Sequence, residues 1–323
     1  MQLLDTSRVG PEEIDSLGHL NVHFYLARVD RANGRLLEAL GLGAATLAER
    51  SAVLRRVDTY SRFRREQFEG AELTVHGGRL DVDATHVRAY FEIRNPAREE
   101  IAANFVTTSV LADGATRAEL ALPAAVLHPN ARCDVQLPAH AAPRSLTLAT
   151  PRTDVSLRAL AEHIGESAEF GMTGAREGVV EAEDCGPDGV LRDDVELMFL
   201  LHRKQHEQAG VRDASANASA KAFGPPVLRT DDGHRFGWAM LETRITEIAR
   251  PRAGDSVVWV GADVDIAEKS RRTRRWAFVK STGKLLSIHD SVGVAMDLDV
   301  RKAITIPPSM REAMNQHYLP EYA

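Results

Sequence analysis

Asp15, Gly18, His19 and Asn21 stand just ahead of a run whose apolar residues fall at Leu26, Val29, Leu36, Leu37 and Leu40. Spacings of three, four and seven place those side chains on one stripe of a helix, and that face should be buried. The start of a helix leaves backbone N–H groups without intrahelical partners, and these can polarise an oxygen that gains negative charge. A carboxylate just upstream, Asp15, adds a general base or a nucleophile beside the amides near Gly18 and His19. His19 and Asn21 can orient water or donate to the oxygen. A capping or turn carboxylate is the plainer reading of Asp15, and turn formation that of His19 and Asn21.

The elements that would position these residues follow in order. Gly41 and Gly43 stop the helix. Strands are expected at Val53–Phe63, Glu72–Val82, Thr85–Arg94 and Glu100–Ala112, with Val87, Ala89, Phe91 and Ile93 alternating against His86, Arg88, Tyr90 and Glu92. Asn95-Pro96 and Asp113-Gly114 are turn signals. The first half thus reads as one helix followed by four antiparallel strands. The stretch Leu127–Pro151, with Pro129, Pro138, Pro143 and Pro151, reads as a connector.

A chain of 323 residues exceeds one ordinary core, and the pattern does restart near Val179. Gly189-Val190-Leu191 stands where Gly18-His19-Leu20 stood, and strands are expected at Phe236–Ile248, Ser256–Ile266, Thr273–Lys280 and Leu285–Met296. Gly70 and Gly254, Ile101 and Leu285, and Pro123 and Pro307 are each 184 positions apart, whereas Gly18 and Gly189 are 171 apart. The extra residues of the second half are assigned to the Ala/Ser/Asn-rich stretch Asp213–Ala222. Aligned on its glycine, EDCGPDGVL puts Gly186 at the place of Asp15, Val190 at that of His19 and Arg192 at that of Asn21. One working site per chain is expected, unless a register slip lets Asp184 or Asp188 substitute.

The pattern D-x-x-G-H-x-N-x-x-x-Y, here Asp15, Gly18, His19, Asn21 and Tyr25, resembles the motif of the hotdog-fold acyl thioesterases, the 4-hydroxybenzoyl-CoA thioesterase-like group. EKSRRTRRWAFVKSTGKLL and RKAITIPPSMR in the second half are similar to the later segments of that group. The resemblance implies an α+β fold of two tandem hotdog units, each a long helix wrapped by a curved antiparallel sheet, forming an intramolecular pseudo-dimer that hides sheet edges. The first unit spans residues 1–126, a crossover linker 127–174, and a second, degenerate unit 175–323. Plant acyl-carrier-protein thioesterases are also double hotdogs and share a similar His/Asn segment, but Val22 stands where their second Asn would be.

The activity implied is hydrolysis of an acyl-CoA or acyl-carrier-protein thioester, with Asp15, His19 and Asn21 catalytic and Gly18, Tyr25, Tyr60, Lys269, Ser270, Arg272 and His289 contacting substrate. Lys269, Arg271, Arg272, Arg274 and Arg275 suit the phosphates of coenzyme A, although a solvated edge strand would also be charged. Ser287, His289 and Ser291 on one strand face, and the second helix around Glu196–His202, are candidates for the opposite wall of the site. Phe24, Tyr25, Tyr60 and Trp238 favour a short or medium acyl group. A non-catalytic acyl-CoA-binding or regulatory double hotdog is the alternative. A homodimer of such chains is allowed.

Other classes lack support. A net charge of −6 argues against a sequence-independent nucleic-acid surface. Cys133 and Cys185 make neither a disulfide framework nor a metal cluster, which suits a reducing cytoplasm. The N-terminus carries no export signal, and no apolar run is long enough to span a membrane. His19 and His23 lack the glutamate of H-E-x-x-H, so no metal is expected. No cofactor is expected either, since G-x-G-x-x-G and phosphate loops are absent, as is a G-x-S-x-G elbow. No D-x-N-P-x-H segment of the hotdog dehydratases occurs.

Overall fold

The computed structural model describes residues 1–15, 17–163, 174–192, 195, 197 and 227–323. The chain divides into two compact units, Met1–Arg144 and Ser145–Ala323.

The first unit runs β1 (Gln2–Arg8), a 3-10 turn (Pro11–Glu13), α1 (Val22–Ala39), α2 (Ala44–Glu49), β2 (Ala52–Phe63), β3 (Glu72–Val82), β4 (His86–Asn95), β5 (Glu100–Asp113) and the short α3 (Ala124–Leu127). Its sheet has the order β1-β3-β4-β5-β2 with every pair antiparallel. Leu26, Val29, Leu36, Leu37 and Leu40 are all buried, and α1 lies against β1, β3 and β4. The hydrophobic stripe therefore does what its spacing demands. Besides the short α3, two elements exceed the sequence reading. The edge strand β1 precedes the helix, its alternation broken by a bulge between Leu3 and Asp5, and α2 is a short helix inserted before β2.

The second unit contains α4 (Leu157–His163), β6 (Gly174–Val179), a 3-10 turn (Ala182–Asp184), the two-residue β7 (Leu228–Arg229), β8 (Arg235–Glu247), β9 (Ser256–Ile266), β10 (Ser270–Val279), β11 (Leu285–Asp297), the two-residue β12 (Lys302–Ala303) and α5 (Pro308–Asn315). Its order β8-β11-β10-β9-β6 repeats the first sheet element for element. On one face, called inner here, Val180, Leu191, Leu197, Val257, Trp259, Ala277 and Leu286 form a core. Leu160, Val260, Trp276, Phe278, Ile288 and Leu319 pack on the opposite face. The candidate wall segment Glu196–His202, apart from Leu197, and the Asp213–Ala222 stretch lie outside the described residues.

The proline-rich connector is pinned along its length. Arg79 donates to Asp134 and to the His128 carbonyl. The His140 Nε2 lies 2.9 Å from Glu92 Oε1, beside Tyr90, whose hydroxyl donates to the same oxygen. In the second unit the Ser145 and Leu146 amides donate to Glu242, and Arg244 donates to the Thr147 carbonyl. Buried arginines and carboxylates satisfy the polar backbone that prolines leave without regular partners.

Candidate functional site

The loop before α1 is built by backbone bonds. Asp15 N–H donates to the His19 carbonyl, Gly18 N–H to the Asp15 carbonyl, Leu20 N–H to Gln67 and Asn21 N–H to Glu13. Gly18 adopts φ +84°, the left-handed region, with nothing within 4 Å of where a Cβ would sit. The penalty for a side chain there is purely conformational. Gly18→Ala should therefore lower stability by about 1–2 kcal/mol, and Gly18→Asn by less, as read by urea unfolding.

Asp15 is 6% exposed. Its Oδ1 accepts from the Leu17 amide at 2.8 Å, and its Oδ2 lies 3.6 Å from His19 Nδ1. Burial pushes its pKa above the ordinary carboxylate value, while His19 and the Leu17 and His19 amides pull part of the way back. The loop amides thus turn toward the carboxylate itself. Helix α1 begins only at Val22, with Asn21 as N-cap: its Oδ1 accepts from His23 N–H at 3.0 Å and its carbonyl from Phe24 N–H. The expectation that amides near Gly18 and His19 stand ready for a substrate oxygen is corrected accordingly. The first helical amide, that of Val22, lies just beyond the cap.

Because the folded state holds the Asp15 proton more tightly than the unfolded chain, the burial penalty is absent below the unfolded pKa and grows as pH rises through the folded pKa. Asp15→Asn should therefore melt higher than the parent at neutral pH, and the gap should close in acid. Thermal unfolding at both pH values measures this.

His19 lies between two acids, its Nε2 being 3.6 Å from Glu66 Oε1. Tyr25 is buried, its hydroxyl donates to the Arg65 carbonyl, and burial raises its pKa. Its ring meets Phe63 edge on. The structure thus gathers Asp15, Gly18, His19, Asn21 and Tyr25. Glu66 and the wholly buried Gln67, which accepts from Asn95 and donates to Glu100, were not singled out in the sequence. They sit in FRREQFEG, which reads as a solvated charged loop. Tyr60 lies wholly buried on β2, opposite Val106.

Lys269, Ser270, Arg272 and His289 belong to the second unit. Lys269 is exposed, and Ser270 opens β10. Strand β10 is interior, between β9 and β11, so the solvated-edge reading of its charges is overturned. Arg272 and Arg274 both pair with Asp290, Arg271 pairs with Asp263, and Arg275 stacks over Trp259. His289 is buried on the inner face. Among the described residues no group of His, Cys, Asp or Glu is arranged to hold a metal ion, and no helix is long and apolar enough to cross a membrane.

The loop recurs in the second unit bond for bond. Gly186 N–H donates to Val190, Gly189 N–H to Gly186, Leu191 N–H to Pro251 and Arg192 N–H to Asp184, and Gly189 has φ +71°. This register puts Gly186 in the place of Asp15. Asp184 takes that of Glu13, and Asp188 that of Leu17, so the slipped alignment does not occur.

A family model described as thioesterase-like superfamily matches residues 9–129. The fold is similar to that of the 12:0-ACP thioesterase from Umbellularia californica, with TM-score 0.61, 9% identity, and 90% of this chain and 93% of that one covered. It is similar also to an acyl-ACP thioesterase from Bacteroides thetaiotaomicron VPI-5482, with TM-score 0.55, 9% identity, and coverage of 90% and 96%. No curated protein matches the sequence. Residues 9–129 thus match the thioesterase-like superfamily model, and the fold of the chain is that of tandem hotdog units.

Proposed function

We propose that the first unit hydrolyses an acyl-CoA or acyl-carrier-protein thioester to the free acid and thiol, using the Asp15 carboxylate. The observation that carries this reading is the pair of loops. With Gly186 in place of the acid, the second loop keeps the same backbone bonds, so a buried carboxylate is not needed to build the first. A group that is costly to bury and dispensable for the fold is a candidate for chemistry.

As general base, Asp15 takes a proton from water while the water oxygen attacks the thioester carbon; as nucleophile, its oxygen attacks that carbon directly. In either route the carbonyl oxygen becomes an oxyanion, which the Val22 amide at the helix start suits. Collapse of the tetrahedral species expels the thiolate, which takes up a proton; on the nucleophile route the acyl group then sits on Asp15 as an anhydride, which a water molecule hydrolyses to release the free acid and restore the carboxylate. His19, near the Asp15 and Glu66 carboxylates, suits the movement of that proton. Asn21 acts through its cap, which fixes the direction of the first helical amides. The buried Tyr25 and Tyr60 favour a short or medium acyl group over a long chain.

The test is a panel of acyl-CoA and acyl-carrier thioesters, assayed by release of free thiol for the parent and for Asp15→Asn. Turnover by the parent and its loss in a folded variant support the reading. Binding without turnover by the parent sinks it in favour of an acyl-CoA-binding protein.

A further inference from the structure

Part of the inner face of the second sheet carries polar side chains where the first sheet carries apolar ones, at Arg271, Arg275 and His289. Positions 184 residues apart occupy the same places in the two sheets. Leu54, Val87, Phe91, Phe105 and Thr107 of the first unit become Trp238, Arg271, Arg275, His289 and Ser291 in the second. Arg271 opposes Gly293 on β11, and Gly293 opposes Met240 on β8. The guanidinium of Arg271 lies 4.2 Å from the centre of the Trp238 ring.

Arg271 is buried, with its side chain 2% exposed, and Nη1 meets Asp263 Oδ2 at 3.4 Å. Its Nε and Nη2 have no hydrogen-bond partner among the described residues, and neither do Trp238 Nε1 and Ser291 Oγ. Nε and Nη2 together form the side-on fork of a guanidinium, the edge that takes both oxygens of a planar anion. Ser291 is the diagonal cross-strand neighbour of Arg271, within reach of a shared ligand. Three of the four unpartnered atoms can only donate, so what completes them must be rich in acceptors. Each such donor left dry destabilises the fold. Asp263 on this face feels Arg271, Arg275 and His317.

We propose that this face of the second unit is a binding site for a carboxylate. The anion sits in the Arg271 fork, with Trp238 Nε1 and Ser291 Oγ completing it. The site is independent of Asp15.

The experiment is calorimetric titration of the purified full chain with sodium benzoate and sodium hexanoate, with inorganic phosphate as comparison and tryptophan emission followed in parallel. All three tryptophans, Trp238, Trp259 and Trp276, lie in the second unit, so emission reports on this unit. The expected result is one saturable site per chain for at least one carboxylate, with a change in emission. Arg271→Lys, which keeps the charge but loses the fork, should weaken it at least about tenfold. Trp238→Phe and Ser291→Ala should each weaken it a few fold, and they keep the proposal testable if the Arg271 variant does not fold. Asp15→Asn should bind as the parent does. The proposal is overturned by absence of saturable binding into the millimolar range, by phosphate binding tighter than both carboxylates, or by folded variants that bind like the parent.

Discussion

Asp15→Asn is expected to reduce kcat for thioester hydrolysis by roughly a hundredfold to ten-thousandfold, the usual contribution of a positioned acid or base. The change removes the charge while keeping the shape, and the amide oxygen can still accept from Leu17 N–H. The loop should stand, because its counterpart folds with glycine at that place. The parent's rate should fall as pH drops through the Asp15 pKa, which burial places above the ordinary carboxylate value. Assays of thiol release across pH measure both effects. Heavy oxygen from solvent water entering the Asp15 carboxyl in a single turnover marks the nucleophile route.

Arg28→Met should cost about 3–5 kcal/mol, the penalty for stranding one member of a buried ion pair. Arg28 is 1% exposed. Nη1 and Nη2 donate to Glu13 Oε1 and Oε2 at 2.8 and 2.7 Å, Nε to Ser7 Oγ at 2.9 Å, and the remaining N–H groups to the Phe24 and Arg8 carbonyls. Glu13 in turn accepts the Gly10 amide on its carboxylate and the Asn21 amide on its carbonyl. One guanidinium therefore ties the end of β1, the 3-10 turn and α1 around the loop that carries Asp15. Replacing Glu13 as well, as Glu13→Leu with Arg28→Met, should recover part of the loss because no lone charge remains. Urea unfolding of the single and double variants measures this, and activity should fall with Arg28→Met even where the protein is folded.

What the sequence revealed was local. Strands β3 and β9 span the residues expected of them, Glu72–Val82 and Ser256–Ile266, and the Asp15 to Tyr25 cluster lies within one turn and one helix start. Partners distant along the chain left no such trace. Glu66 reaches His19 through the connection after β2, and Asp290 meets Arg272 and Arg274 only because β10 and β11 pair. A run of arginines looks the same whether it faces solvent or stacks on tryptophan, so the interior position of β10 had no local signal. Strand β1 was missed because its polar residues and bulge hide the period of two, and α2 because six residues are too few to show a helical repeat.

The matching loops mean that the molecule carries its own blank. Any property of the first loop that recurs in the second belongs to the scaffold, and any that does not belongs to a handful of side chains. Moving the acid across, by Asp15→Gly with Gly186→Asp, is thus an exchange of side chains rather than the rebuilding of a loop. Among the described residues Asp188 stands in the way: its Oδ1 lies 3.0 Å from where the new Cβ would stand, and it would have to be neutralised in the same step.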